Sequence, residues 1–205
     1  VSSFLAFDGE NFLALTASLI GVTSLLFNAK GNPVGQIIGI VFCLIYGFIS
    51  WQYAYYGEMI TYLGMTLPMS VVTLVIWLRN PFKGNRMCVQ VGRLRRSDLF
   101  WLVFLTIVIT AVFGYVLAVL HTANLALSIL SISTSTIAVY LSWRRSPWFA
   151  VGYALNDLVL IVLWSLAAVQ DPGAVSVLMC FVAFFANDLY GFRNWRRMLC
   201  QQQTA

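Results

Sequence analysis

From Asp98 to Leu120 the sequence runs DLFWLVFLTIVITAVFGYVLAVL, with no charge after its first residue. A helix needs about 20 such residues, at 1.5 Å rise each, to cross the hydrocarbon of a bilayer. This run is one of seven, over about 11–29, 33–53, 58–78, 98–120, 123–142, 147–169 and 173–194. No water reaches a backbone at that depth, so each run must pair its amides internally, as a helix or within a closed barrel. The runs are continuous and lack the alternation of barrel strands. Composition agrees: 60% of residues are hydrophobic and 9% charged, with mean hydropathy +0.85, where a soluble domain carries about 25% charged residues. The expected fold is an all-α integral membrane protein with seven transmembrane helices.

Basic residues set the orientation. All 12 follow odd-numbered runs: Lys30 the first; Arg79, Lys83, Arg86, Arg93, Arg95 and Arg96 the third; Arg144 and Arg145 the fifth; Arg193, Arg196 and Arg197 the seventh. The opposite side carries only Asp8, Glu10, Glu58 and Asp171. The positive-inside rule then puts the N-terminus outside and the C-terminus in the cytoplasm. The pI of 9.2 is thus a topology signal and a surface for anionic lipid. The longest loop, 79–97, is basic but has no nucleic-acid fold signature, so no nucleic-acid partner is expected. The opening VSSFLAFDGENF lacks the positive start of a signal peptide.

Sliding the chain by 114 residues lays Lys30 on Arg144, Pro33 on Pro147, Arg79 on Arg193 and Asn80 on Asn194. In each copy a basic residue precedes a capping residue, Asn32 or Ser146, and then a proline at the first helical position. The expected organisation is a first three-helix repeat at 11–80, a basic loop and linker helix at 81–124, and a second repeat at 125–197. With a linker helix between them the copies point the same way. That 3+1+3 arrangement is a parallel repeat with a pathway at its interface.

Polar residues inside the apolar runs carry the functional reading. Asn156 and Asp157 fall in the middle of SPWFAVGYALNDLVLIVLW, and the pair recurs as Asn187 and Asp188. A carboxylate at lipid depth costs on the order of 3 kcal/mol unless it faces protein or a wet cavity. These four residues are candidate substrate contacts; the alternative is a buried network tying helices together, or Asp188 neutralising an inner-loop arginine. Tyr153, Trp164 and Tyr46 can stack on a flat ring or hold a cation. Trp148 adds to that set, although an interfacial tryptophan is ordinarily a belt residue. Gln36 can donate and accept. Thr66 and Pro68 mark a bend in the third span, static or a hinge for rocking. The hydroxyls Ser128, Ser131, Ser133, Thr134, Ser135 and Thr136 read as close helix packing and bonds to backbone. Asn124 is a candidate lid contact. Four cysteines without a CxxC pair and the single His121 form no metal pattern. No P-loop, GxSxG, HExxH or dinucleotide fingerprint is present. The chain therefore reads as no enzyme, with no cofactor, metal or catalytic residue.

The run GNPVGQIIGIVFCLIYGFISWQYAYYGEMITYLGMTLPMSVVTLVIW, with Tyr56-Gly57-Glu58, Pro68-Met69 and Trp77, resembles the first half of the PnuC-type nicotinamide riboside transporters. The ending NDLYGFRNWRR, with Tyr190, Gly191, Asn194 and Trp195, resembles their closing helix. The resemblance extends from the first span to Arg197. It implies a SWEET-like 3+1+3 fold in the bacterial inner membrane and facilitated diffusion of nicotinamide riboside by alternating access. It further implies binding near the midplane between the repeats, trapping by a cytosolic riboside kinase, and room for a homo-oligomer. Relatives accepting thiamine or riboflavin keep those vitamins as alternatives, as is proton-coupled uptake through Asp157 or Asp188. Two residues depart from the pattern: Val151 follows Trp148 where a second tryptophan is expected, and Asn124 stands where an acid is expected. Nicotinamide riboside is a flat aromatic cation on a sugar. Asn156 and Asn187 suit its carboxamide and hydroxyls; aromatic faces and Asp157 suit its charge.

Overall fold

Among the described residues the apolar runs are helical. The computed structural model describes residues 12–52, 59, 61–121, 124–170 and 174–204. The chain divides into two units, Val1–Gln90 and Val91–Ala205. Among the described residues three helical stretches, Arg96–Val119, Leu125–Trp143 and Trp148–Leu166, are long and apolar enough to cross a membrane, and shorter apolar helices, Leu19–Ala29, Val34–Ile45 and Tyr62–Leu78, precede them in sequence.

The first unit contains α1 (Phe12–Ala29), α2 (Val34–Gln52) and α3 (Leu67–Leu78), the last entered through a π-helical stretch at Thr61–Thr66. Small residues bring α1 and α2 together. A Cβ on Gly21 would stand 3.2 Å from the Phe42 ring, and one on Gly39 3.1 Å from Ser24 Oγ. Ser24 Oγ donates to Gly35 O at 2.7 Å across the same interface. Lipid tails are as apolar as leucine, so close approach and interhelical hydrogen bonds are what hold such helices. Pro68 lies in the first turn of α3, directly after the π-helical stretch. Following a helical stretch directly, it removes one backbone donor at the point where the helix type changes. The bend expected at Thr66 and Pro68 thus takes the form of a change in helix type, a feature that recurs at functional sites.

The 79–97 segment departs from the expected plain loop. Pro81–Phe82 (β1) and Asn85–Val89 (β2) pair antiparallel. Lys83 and Gly84, at φ 49 and 80, both adopt the left-handed conformation, the two-residue turn whose twist matches that of paired strands. Alternation in RMCVQV was the missed signal; proline opens β1, where a missing donor is tolerated.

The second unit contains α4 (Arg96–Val119), α5 (Leu125–Trp143), α6 (Trp148–Gln170) and α7 (Ala174–Thr204). Asp98 caps α4 by accepting from Arg95 N at 2.7 Å. The same carboxylate pairs with Arg144 Nη2 at 2.8 Å. Thr110 and Ser133 meet at 3.1 Å between α4 and α5. Gly152 lets α6 approach α5 closely: a Cβ there would sit 2.9 Å from Ala138 Cα. Between α6 and α7, Phe149 meets the fully buried Trp195 at a ring separation of 4.8 Å. Helix α7 continues to Thr204, past the expected end near 194. Nothing after Gly191 breaks it, and Gln202 Oε1 accepts from Val91 N at 2.8 Å.

The turns entering α2 and α6 are built alike, each within its own unit. Asn32 N donates to Phe27 O and Ser146 N to Leu141 O, both at 3.0 Å. Gly31 N reaches Asn28 O at 3.0 Å and Arg145 N reaches Ser142 O at 2.9 Å. Asn32 Oδ1 caps Val34 N at 3.0 Å, whereas Ser146 Oγ is 3.5 Å from Trp148 N.

Substituting Gly152 by alanine forces a Cβ against backbone and should cost about 1–3 kcal/mol. Gly114→Ala, whose Cβ would meet Ile129 at an ordinary 3.4 Å, should be silent. Thermal unfolding in detergent separates the two, and equal midpoints would refute the close α5–α6 approach.

Candidate functional site

The polar residues of α6 and α7 form a cluster inside the second unit. Asn156, Asp157 and Asp188 are 9%, 5% and 6% exposed. Asn156 is held from α5: Ser131 Oγ donates to its Oδ1 at 2.9 Å, and Thr134 Oγ1 stands at the same distance. Ser131 and Thr134 lie three residues apart, on one face of a helix. Thr134 has one proton and three acceptors in range, Leu130 O and Ser131 O at 3.0 Å being the others. With its oxygen engaged, Asn156 keeps an amide whose N–H donors make no hydrogen bond among the described residues.

Asp157 and Asp188 approach one another across the α6–α7 interface, within side-chain hydrogen-bonding reach. Among the described residues neither pairs with a base; the ion pair found there joins Arg144 to Asp98. Asp188 therefore does not neutralise an inner arginine. Asp157 Oδ2 and Asn187 Oδ1 are fully buried and lack a hydrogen-bond partner among the described residues. Buried polar atoms are ordinarily paired, so each orphan needs an explanation such as an unseen ligand or water. Together the cluster offers free N–H donors on Asn156, free acceptors on Asp157 and Asn187, and acid without base.

The helical period aligns Tyr153, Asp157 and Trp164 along one stripe of α6. Tyr153 is half-buried and meets the Phe149 ring at 6.1 Å, edge to face; Trp164 is half-buried. Trp148 is 55% exposed and 5.4 Å from the Phe192 ring. At 1.5 Å rise per residue Trp148 and Trp164 stand roughly 12 Å to either side of Asn156 along the helix. Gln36 belongs to the first unit, where its Nε2 donates to Asn28 Oδ1 at 2.9 Å across the α1–α2 turn. Tyr46 falls on α2, with its side chain outside the described residues. Asn124 precedes α5 in the left-handed conformation, exposed and without a side-chain cap bond.

The sequence reading missed the role of Ser131 and Thr134. It assigned the α5 hydroxyls to packing and backbone, which holds for Ser133, Ser135 and Thr136 at 2.8–3.1 Å from carbonyls and in part for Thr134, at 3.0 Å from two of them. The available signal was the three-residue spacing facing a helix that bears an amide.

A polar cluster inside the apolar helices of a multi-pass membrane protein fits the class of membrane transporters. The family model described as nicotinamide mononucleotide transporter matches residues 11–197, and the chain belongs to that family. It is similar to the nicotinamide riboside transporter PnuC of Neisseria mucosa, 24% identical over 200 residues that cover 94% of this chain and 75% of the relative. The Haemophilus influenzae protein of the same name is 22% identical over 194 residues, 93% of this chain and 81% of that one. A crystal structure of the vitamin B3 transporter PnuC shares the fold, with TM-score 0.80 and 22% identity over 98% of this chain and 87% of that one. The family is one of transporters.

Two buried carboxyl groups within hydrogen-bonding reach and without a base cannot both ionise, so the pair shares a proton and keeps one buried charge. Asp157→Asn keeps shape and hydrogen-bonding reach while removing one of them. The variant should unfold at a higher temperature than the parent chain, as neutralised binding sites often do. Unfolding several degrees lower would instead identify the pair as a structural tie.

Proposed function

We propose that the chain carries nicotinamide riboside across the bacterial inner membrane by facilitated diffusion. The observation that carries this reading is the α6–α7 cluster, where Asp157 and Asp188 lie buried with no basic residue beside them among the described residues. A pyridinium cation relieves such a charge, whereas the phosphate of a mononucleotide would add to it. That favours the riboside, named in both relatives, over the mononucleotide of the family description. The free amide of Asn156 and the orphan oxygen of Asn187 complement a carboxamide and ribose hydroxyls. Tyr153, Trp164 and Trp148 supply ring faces along α6, and Tyr46 and Gln36 are contributions from the first unit. Thr66 and Pro68, at the junction of two helix types, serve as the hinge.

In this reading residues 11–80 and 125–197 are parallel repeats joined by a linker segment at 81–124, and the substrate binds between them near the midplane. The matching hydrogen bonds of the 27–32 and 141–146 turns support the duplication. The clustering of basic residues after alternate helices supports an external N-terminus and a cytoplasmic C-terminus. Alternating access then delivers the riboside to the cytoplasm, where phosphorylation by a riboside kinase adds charge that bars its return.

Purified chain in liposomes should equilibrate labelled nicotinamide riboside without ATP or an ion gradient. Losing one hydrogen bond of about 1 kcal/mol lowers uptake roughly 5-fold, so Asn156→Ala and Asn187→Ala should each fall at least that far. Unchanged uptake in both variants would remove the site assignment; absent uptake in the parent chain would remove the substrate.

A further inference from the structure

Arg145 occupies a position made for glycine. In the matching turn of the first unit, Gly31 takes φ 66 to complete the same bonds; Arg145 takes φ 56. Left-handed backbone is strained for any residue with a Cβ, and such strain persists where the side chain has a task. The turn itself is well fixed, for Gly92 N donates to Arg145 O at 2.9 Å. The guanidinium is not. Its Nε and Nη1 are fully buried and unpartnered among the described residues, as is Nε of Arg144.

Charge sharpens the case. Asp98 is committed to Arg144 Nη2 at 2.8 Å, leaving Arg145 without a counter-ion among the described residues. Burial first, and then the Arg144 charge, holds the Arg145 guanidinium below its usual range. An arginine nevertheless stays protonated in a protein. Buried cationic donors without an acceptor are costly to leave unmade. Three residues on, α6 begins at Trp148, and the positive end of its dipole adds to the same field. A planar guanidinium fork with donors unmade suits carboxylate and phosphate alike, and at the basic face of a membrane protein the anion at hand is phosphate, of a lipid headgroup or free.

We propose that Arg145, assisted by Arg144, binds a phosphate group at the start of helix α6, donated by an anionic lipid headgroup or by a free phosphate compound. The site is separate from the α6–α7 cluster and does not depend on the transported substrate.

Thermal unfolding of the full chain in detergent tests it, with phosphatidylglycerol, phosphatidylcholine or inorganic phosphate added. Phosphatidylglycerol should raise the midpoint of the parent chain by roughly 3 °C or more. Arg145→Gly, which suits the left-handed turn, should lose that response. Arg86→Gln, which removes the same charge from an exposed strand position, should retain it. A response to phosphatidylglycerol alone identifies a lipid headgroup; an equal one to inorganic phosphate identifies a free oxyanion. Without additive, Arg145→Gly should unfold no lower than the parent. A lower midpoint there, equal responses in Arg145→Gly and the parent, or no response to either phosphate source in the parent would overturn the proposal.

Discussion

The approach of Asp157 to Asp188 is the constraint on which the rest of the second unit depends. Two acids within hydrogen-bonding reach, buried with no base beside them among the described residues, are costly to keep in the empty protein. The surrounding structure does not relieve this. It holds Asn156 by its oxygen from Ser131 and Thr134, turning that residue into a donor, and leaves Asp157 Oδ2 and Asn187 Oδ1 unpaired. A chain that only needed to tie α6 to α7 would gain more from apolar side chains of the same volume. In the proposed function these uncommitted donors and acceptors are left for the substrate.

Rigidity elsewhere makes that arrangement useful. Gly152 brings α5 against α6, and Phe149 locks onto the buried Trp195. These contacts tie the three helices together beside the cluster and hold its polar groups in place. Preorganisation of this kind limits the ordering cost of binding. The first unit contrasts with it: its third helix changes type at Thr66.

Membrane class, helix positions and the two matching turns were legible because their signals are local. Hydropathy over one span, a proline at a helix start and an asparagine cap need no tertiary information. The residues of the cluster were legible too, since Asn156, Asp157, Asn187 and Asp188 stand out in apolar runs. Their partners were not. Ser131 lies 25 residues from Asn156, and only packing reveals that it faces that amide. Gln36 likewise looked available in sequence and is bonded to Asn28. The hairpin of 81–89 was overlooked because Lys83-Gly84 lacks the asparagine or aspartate that usually announces such a turn. The length of α7 was underestimated because hydropathy ends where the membrane does, whereas a helix ends where its hydrogen bonding is interrupted.

The central claim is that the uncommitted atoms of α6 and α7 await a cationic riboside. An experimental structure of the full chain with nicotinamide riboside bound tests it most directly. The account requires the ligand within hydrogen-bonding distance of Asn156 Nδ2, with its ring charge close to Asp157. A riboside seated elsewhere, with Asp157 and Asn187 sealed in a dry core, would contradict it.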